Sequence, residues 1–319
     1  LLINWFDCLS STIKRLSYSN EFDIIRLVLS CAVLFQHSET ILNTPNFLNL
    51  SSIPAVPIFI FISGLLVTES LIFSTSIQKY FIKRIRRILP GYYFVVIFGG
   101  FSLFIINNFF INEQGISIFN LIKYYAFNLL FLNFLHPCIQ NIDTNTIISN
   151  CAINGSLWTI KFELFFYLIL PIIFLLARNS TKFFIFLTTL CLVLLALGAD
   201  ISIYIRIFIC FFAGVGFSMI RQHWRFIYKF KKINSILRFS LVIFLILLSG
   251  WRIVPLYLIL PLLLLSSFYP TKDSSKDLKI SKYGDLSYGI YLIHFPIIRI
   301  LGSFPMFTEL NGFILSFLV

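Results

Sequence analysis

Long apolar runs separated by short polar segments dominate this chain. They lie at roughly 22–42, 53–73, 88–111, 157–177, 183–198, 201–220, 236–250, 251–268 and 286–301, and a last one starts near Leu310 and is cut at Val319. A further stretch, 116–135, is interrupted by Asn120, Lys123, Asn128 and Asn133. A hydrocarbon core ~30 Å thick takes about 20 residues per helix. The pattern therefore predicts an all-α, polytopic membrane helix bundle of about ten transmembrane helices. Membrane β-barrels are disfavoured, because their segments are short and alternate in polarity. Residues 1–319 are expected to form a single integral membrane domain. The chain has no initiator Met, and its terminal span is expected to continue past Val319.

Basic residues then assign the sides. Lys14 and Arg15 precede the first run, and Lys79, Lys83, Arg84, Arg86 and Arg87 follow the second. Arg178 and Lys182 come after 157–177. Arg221, Arg225, Lys229, Lys231, Lys232 and Arg238 follow 201–220, and Lys272, Lys276, Lys279 and Lys282 precede 286–301. These are 19 of the 25 Lys and Arg. All fall on one side if the N-terminus is cytoplasmic and 116–135 lies at the outer surface without crossing. The opposite segments, 43–52 and 137–153, hold neither Lys nor Arg.

Composition narrows the class further. The chain is 58% hydrophobic and 12% charged, against roughly 25% charged in soluble domains. That excludes a soluble multidomain enzyme, a disordered protein and a disulfide framework. The net charge of +12 reads as cytoplasm-facing positives beside lipid headgroups, so no nucleic-acid partner is needed. The six Cys show no metal-binding spacing and no metal is expected. Most read as apolar fillers. Cys138 and Cys151 share the outer segment and would close a short loop if that compartment is oxidising and they pair.

The scarce charges inside apolar runs are the candidate chemistry, since lipid makes them costly. Asp23, Arg26 and His37 lie in the first run. Arg26 and His37 are eleven residues apart, three turns plus about 20° and a rise of ~16.5 Å, so they share a helix face. Asp23 can pair with Arg26. His37 serves either as a base or as a polar group satisfied by a neighbouring helix. Ser63-Gly64 suggests close helix packing, which against the first span would help position His37. Lys83-Arg84-Ile-Arg86-Arg87 reads as a cytoplasmic anchor or as a phosphate clamp of Arg forks. Glu163 and Tyr167, at i and i+4 beyond Trp158, share a face at roughly His37's depth. They suit an orienting partner for a base or a buried lock of the bundle. Ser287, Tyr288, Tyr291 and His294 form a polar stripe near mid-membrane. His294, just before the kink at Pro296, is better suited to a structural or substrate-lining role than to that of the base. Arg206, Arg252 and Arg299 either contact a polyanionic substrate or, the simpler reading, snorkel.

Taken in order, these motifs resemble the membrane acyltransferase-3 family. The resemblance rests on Asp23-x-x-Arg26-x10-His37, Val56-Pro57…Ser63-Gly64, Arg84-x-x-Arg87…Pro90, Leu157-Trp158-x4-Glu163-x3-Tyr167 and Ser287-Tyr288-x-x-Tyr291-Leu292-x-His294. It implies O-acylation of a surface glycan in the bacterial cytoplasmic membrane. Acyl-CoA, most often acetyl-CoA, would be the donor substrate, with no permanently bound cofactor. Membrane lipid, the glycan acceptor and acyl-CoA would be the partners. His37 matches the family's catalytic histidine, Arg26 its partner, and Arg84 and Arg87 the functional Arg pair. The matches at Glu163, Trp158, Tyr167 and 287–294 mark the family without fixing roles. His37 would act as a general base or carry the acyl group itself. The competing reading is a carrier or flippase using His37, Glu163 and His294 as a relay, against which stands the lack of an inverted repeat of spans.

Overall fold

The computed structural model describes residues 21–42, 53–111, 115–132, 153–177, 180–197, 202–221 and 286–302, with positions 135, 244 and 246. These form α1 (Glu21–Leu42), α2 (Ala55–Ile72), α3 (Ile77–Ile106, continued by a π-turn Asn107–Ile111), α4 (Ile118–Leu129), a 3₁₀ turn Gly155–Leu157, α5 (Trp158–Ala177), α6 (Thr181–Leu197), α7 (Ile203–Arg221) and α8 (Leu286–Gly302). No strand occurs among the described residues. Among the described residues, five segments are long and apolar enough to cross a membrane: Phe22–Ile41, Ala55–Ile72, Ile77–Phe110, Gly155–Ala177 and Ile203–Ile220. Lys182–Leu197 and Leu286–Leu301 are apolar but shorter. The chain is an all-α membrane protein. The runs expected at 236–250, 251–268 and from Leu310 fall outside the described residues, as do His136, Cys138, Cys151, His223 and Arg252.

One boundary differs from the sequence expectation. The basic run 79–87 is not a connector; it forms the first turns of α3, with Pro90 inside the helix. Lys, Arg and Gln are good helix formers, and fully buried Tyr80 anchors that turn. The stretch 116–135 yields only the twelve-residue α4, capped by the Ser117 side chain at the Asn120 N–H. Its last turn closes with Phe131 in the left-handed region (φ 62°), a position glycine usually takes. The Phe131 ring stacks on Tyr92 of α3 at 4.3 Å, and the Tyr92 hydroxyl donates to the Asn128 carbonyl at 2.7 Å.

The described residues divide into two compact units, with boundaries after Leu29, Ser51, Arg84, Leu164 and Asp285. In the first, α2 lies along α7 through reciprocal glycine contacts. A methyl group on Gly64 would collide with the Phe211 carbonyl, and one on Gly214 with the Phe61 carbonyl. The small-residue packing expected at Ser63-Gly64 is therefore present, but its partner here is α7. Gly216 of α7 lets Thr188 and Phe184 of α6 approach in the same way. Phe166 and Phe211 stack at 3.9 Å between α5 and α7.

In the second unit α8 runs parallel to α3. Tyr288 donates to the Ile88 carbonyl at 3.1 Å, Gly91 meets the Tyr288 and Leu292 side chains, and Gly99 meets Pro296. Residues 288, 292 and 296 are the i, i+4, i+8 ridge of α8.

Candidate active site

Proline placement explains how the second unit builds its polar centre. Pro296 has no N–H, so the Leu292 carbonyl loses its helical partner. Asn154 fills that role: its amide donates to the Leu292 carbonyl at 2.8 Å. The Asn154 side-chain oxygen meanwhile caps the 3₁₀ turn, accepting from the Ser156 N–H at 3.0 Å and the Ser156 hydroxyl at 2.5 Å. A side chain on Gly155 would meet the Phe295 ring at 2.6 Å. The Asn-Gly-Ser entrance to α5 is thus shaped to sit on the kink of α8.

That contact aligns the polar groups. The Tyr291 hydroxyl lies 2.8 Å from the Thr159 hydroxyl and donates to the Ser156 carbonyl at 3.3 Å. Glu163, half-buried one turn beyond Thr159, is near enough for its charge to act on the Tyr291 phenol. Ser287 is buried at the start of α8, and Tyr288 is half-buried. Trp158 is half-buried edge-to-face with Phe162 at 5.9 Å.

His294 is fully buried (0% exposed), with Nδ1 3.0 Å from the Ile290 carbonyl. Its Nε2 is buried with no hydrogen-bond partner among the described residues. The half-buried ring of His37, near the end of α1, stacks on it with centroids 5.3 Å apart and planes at 27°. Phe295 meets His37 edge-on at 5.1 Å and carries the Arg299 guanidinium at 5.4 Å. Arg299 is only 3% exposed, buried among protein side chains rather than extended to the surface as snorkelling would have it. The imidazole against which His37 lies is that of His294.

The first unit holds Arg84, Tyr167, Arg26 and Asp23, while Arg87 falls in the second. Arg84 donates from Nη2 to the Ser70 hydroxyl at 2.7 Å and lies over the Tyr167 ring at 5.6 Å. Its Nε and Nη1 are buried without a partner among the described residues. Tyr167 is fixed by the same proline device, since Pro171 frees the Tyr167 carbonyl and the Tyr80 hydroxyl donates to it at 3.2 Å. Lys83 reaches Ser74 at 3.5 Å. Arg26 is buried over the Phe59 ring at 5.0 Å, and Asp23 is half-buried. Arg87 is half-buried in the turn of α3 after Arg84.

A family model described as an acyltransferase domain matches residues 19–319. The chain belongs to the acyltransferase-3 family. It is 30% identical over 169 residues to nodulation protein 10 of Rhizobium leguminosarum bv. viciae, covering 49% of this chain and 44% of that protein. It is also 27% identical over 224 residues to the O-acetyl transferase of Shigella phage Sf6, covering 65% of this chain and 64% of that protein. The chain therefore spans about half to two thirds of the length of these relatives. No solved structure matches it significantly.

Within this family frame, Ser70, Asn154, Ser156, Thr159 and Phe295 are the site neighbours that the spacing of charged residues misses. For Asn154 a signal exists in the sequence: a proline inside an apolar helix orphans the carbonyl four residues earlier and calls for a donor. Ser70 and Thr159 leave none, because their partners Arg84 and Tyr291 come from other helices.

Proposed function

We propose that this family member is an integral membrane O-acetyltransferase of a bacterial cytoplasmic membrane. It moves an acetyl group from cytoplasmic acyl-CoA to a hydroxyl of a surface or exported glycan. The family match and the name of the phage relative support acyl transfer. The observation that carries the chemistry is His37, a half-buried imidazole held by ring contacts to His294 and Phe295. It makes no hydrogen bond among the described residues, which leaves its nitrogens for a substrate.

His37 acts as general base. The acceptor oxygen attacks the thioester carbonyl carbon as His37 takes the hydroxyl proton. The carbon–sulfur bond then breaks, and the imidazolium returns the proton to the departing thiolate, leaving an acetyl ester and free CoA. Such a positioned base contributes about 10²–10⁴-fold. Tyr291, bonded to the Thr159 hydroxyl and the Ser156 carbonyl, steadies the helix that carries His294.

On the donor side, Arg84 and Arg87 hold CoA phosphates. Support for this comes from Arg84, anchored at one edge by Ser70 and on one face by Tyr167, with two guanidinium nitrogens still to satisfy among the described residues. A guanidinium fork of that kind suits phosphate oxygens. The cytoplasmic placement of the basic segments is supported by the parallel course of α3 and α8, since α3 begins with its basic run and α8 follows one.

Membranes carrying the protein are expected to transfer label from radiolabelled acetyl-CoA to base-labile ester on polysaccharide. His37→Ala is expected to abolish this without lowering the amount of protein in the membrane. Undiminished label with His37→Ala contradicts the proposal.

A further inference from the structure

We infer that His294 is a second binding residue for the acceptor: its Nε2 accepts a hydrogen bond from the hydroxyl adjacent to the one His37 deprotonates, so the site selects a vicinal diol. This rests on the proposed transfer at His37 and names the acceptor chemistry.

The tautomer follows from geometry. Nδ1 lies 3.0 Å from the Ile290 carbonyl, and a carbonyl only accepts, so Nδ1 carries the hydrogen. In the neutral ring Nε2 is then a lone-pair acceptor. It is fully buried and meets no donor among the described residues, an arrangement that is unfavourable until a donor arrives. The Nδ1 bond and the flanking rings of Phe295 and Tyr291 hold the imidazole in place.

The donor's chemistry follows from the neighbour. His37 stacks on His294 at 5.3 Å, so the two imidazoles lie side by side. Adjacent hydroxyls of a pyranose are closer together than those rings. A hydrogen bond of about 2.8 Å at each end spans the difference. A thioester arm offers amide N–H groups but no hydrogen that His37 must remove; a sugar diol offers both kinds of group.

The test uses the full chain in membranes with labelled acetyl-CoA, titrated with surface polysaccharide from cells lacking the gene. His294→Gln can return an amide oxygen near the Nε2 position. His294→Asn keeps a donor for the Ile290 carbonyl and has no atom at Nε2, and His294→Phe keeps only the ring. The expected result is a KM for polysaccharide raised about tenfold by Asn and Phe, largely restored by Gln, with the KM for acetyl-CoA unchanged. A polysaccharide KM at the wild-type level in the Asn variant means that the Ile290 bond alone matters, and overturns the inference. A second arm does not depend on any variant folding. Periodate cleaves vicinal diols, so periodate-oxidised polysaccharide should accept no label from the wild-type protein; undiminished labelling overturns the inference. If wild-type membranes label nothing, the transfer reaction itself fails and the inference falls with it. If wild type labels and His37→Ala does not, while Asn and Phe keep the wild-type KM, the inference alone fails.

Discussion

Replacing Asn154 with Leu should release α8 from the turn that starts α5. The substitution removes the donor to the Leu292 carbonyl and the acceptor for the Ser156 N–H. An orphaned buried carbonyl costs about 1–3 kcal/mol, and a lost cap about 0.5–2 kcal/mol. A destabilisation of about 2–4 kcal/mol is therefore expected, measured by denaturant-driven unfolding of the purified protein in mixed micelles. The decisive comparison is a double-mutant cycle with Pro296→Ala. Alanine returns the N–H that proline lacks, so the Leu292 carbonyl regains a helical partner and no longer depends on Asn154. In that background Asn154→Leu should cost about 1 kcal/mol less, in line with measured membrane-helix hydrogen bonds. Independent sites add to within about 0.3–0.5 kcal/mol, so additivity at that level would refute the reasoning.

Glycines give predictions of opposite sign. Gly64→Val should force α2 from α7 and destabilise by about 1–3 kcal/mol or more, seen as a lower melting temperature in detergent. Gly289→Ala, where an added Cβ meets nothing within 4 Å, should be neutral or stabilise by about 0.5–1 kcal/mol. On the donor side, Ser70→Ala should free one edge of the Arg84 guanidinium and raise the KM for acetyl-CoA a few-fold with kcat held. A change confined to kcat would count against the phosphate role.

Much of the architecture is legible from hydrophobic runs alone, because lipid admits only long apolar helices with internally bonded backbones. The first span, 22–42, matches α1 to within a residue, and the run 286–301 matches α8 equally well. The start of α3 lies ahead of the apolar run read at 88–111, because Lys and Arg are good helix formers and the helix runs on through the basic segment. Candidate residues are legible for the same energetic reason: a charge in a lipid-facing run has to have a use. Their partners are less so. Glu163 is matched to His37 by depth along separate helices, yet the imidazole that meets His37 is that of His294. Depth fixes one coordinate of a side chain, while the rotation of each helix, which decides who meets whom, is set by packing such as the Asn154–Leu292 lock.

The central claim, O-acetyl transfer at His37, is tested most directly by mass spectrometry of the surface glycan from intact cells. Cells expressing the wild-type chain should carry repeat units heavier by one acetyl group, removable by mild base. Cells expressing His37→Ala at equal membrane abundance should carry only the unmodified repeat. An acetylated repeat in the His37→Ala cells, or an unmodified one in both, would contradict the account.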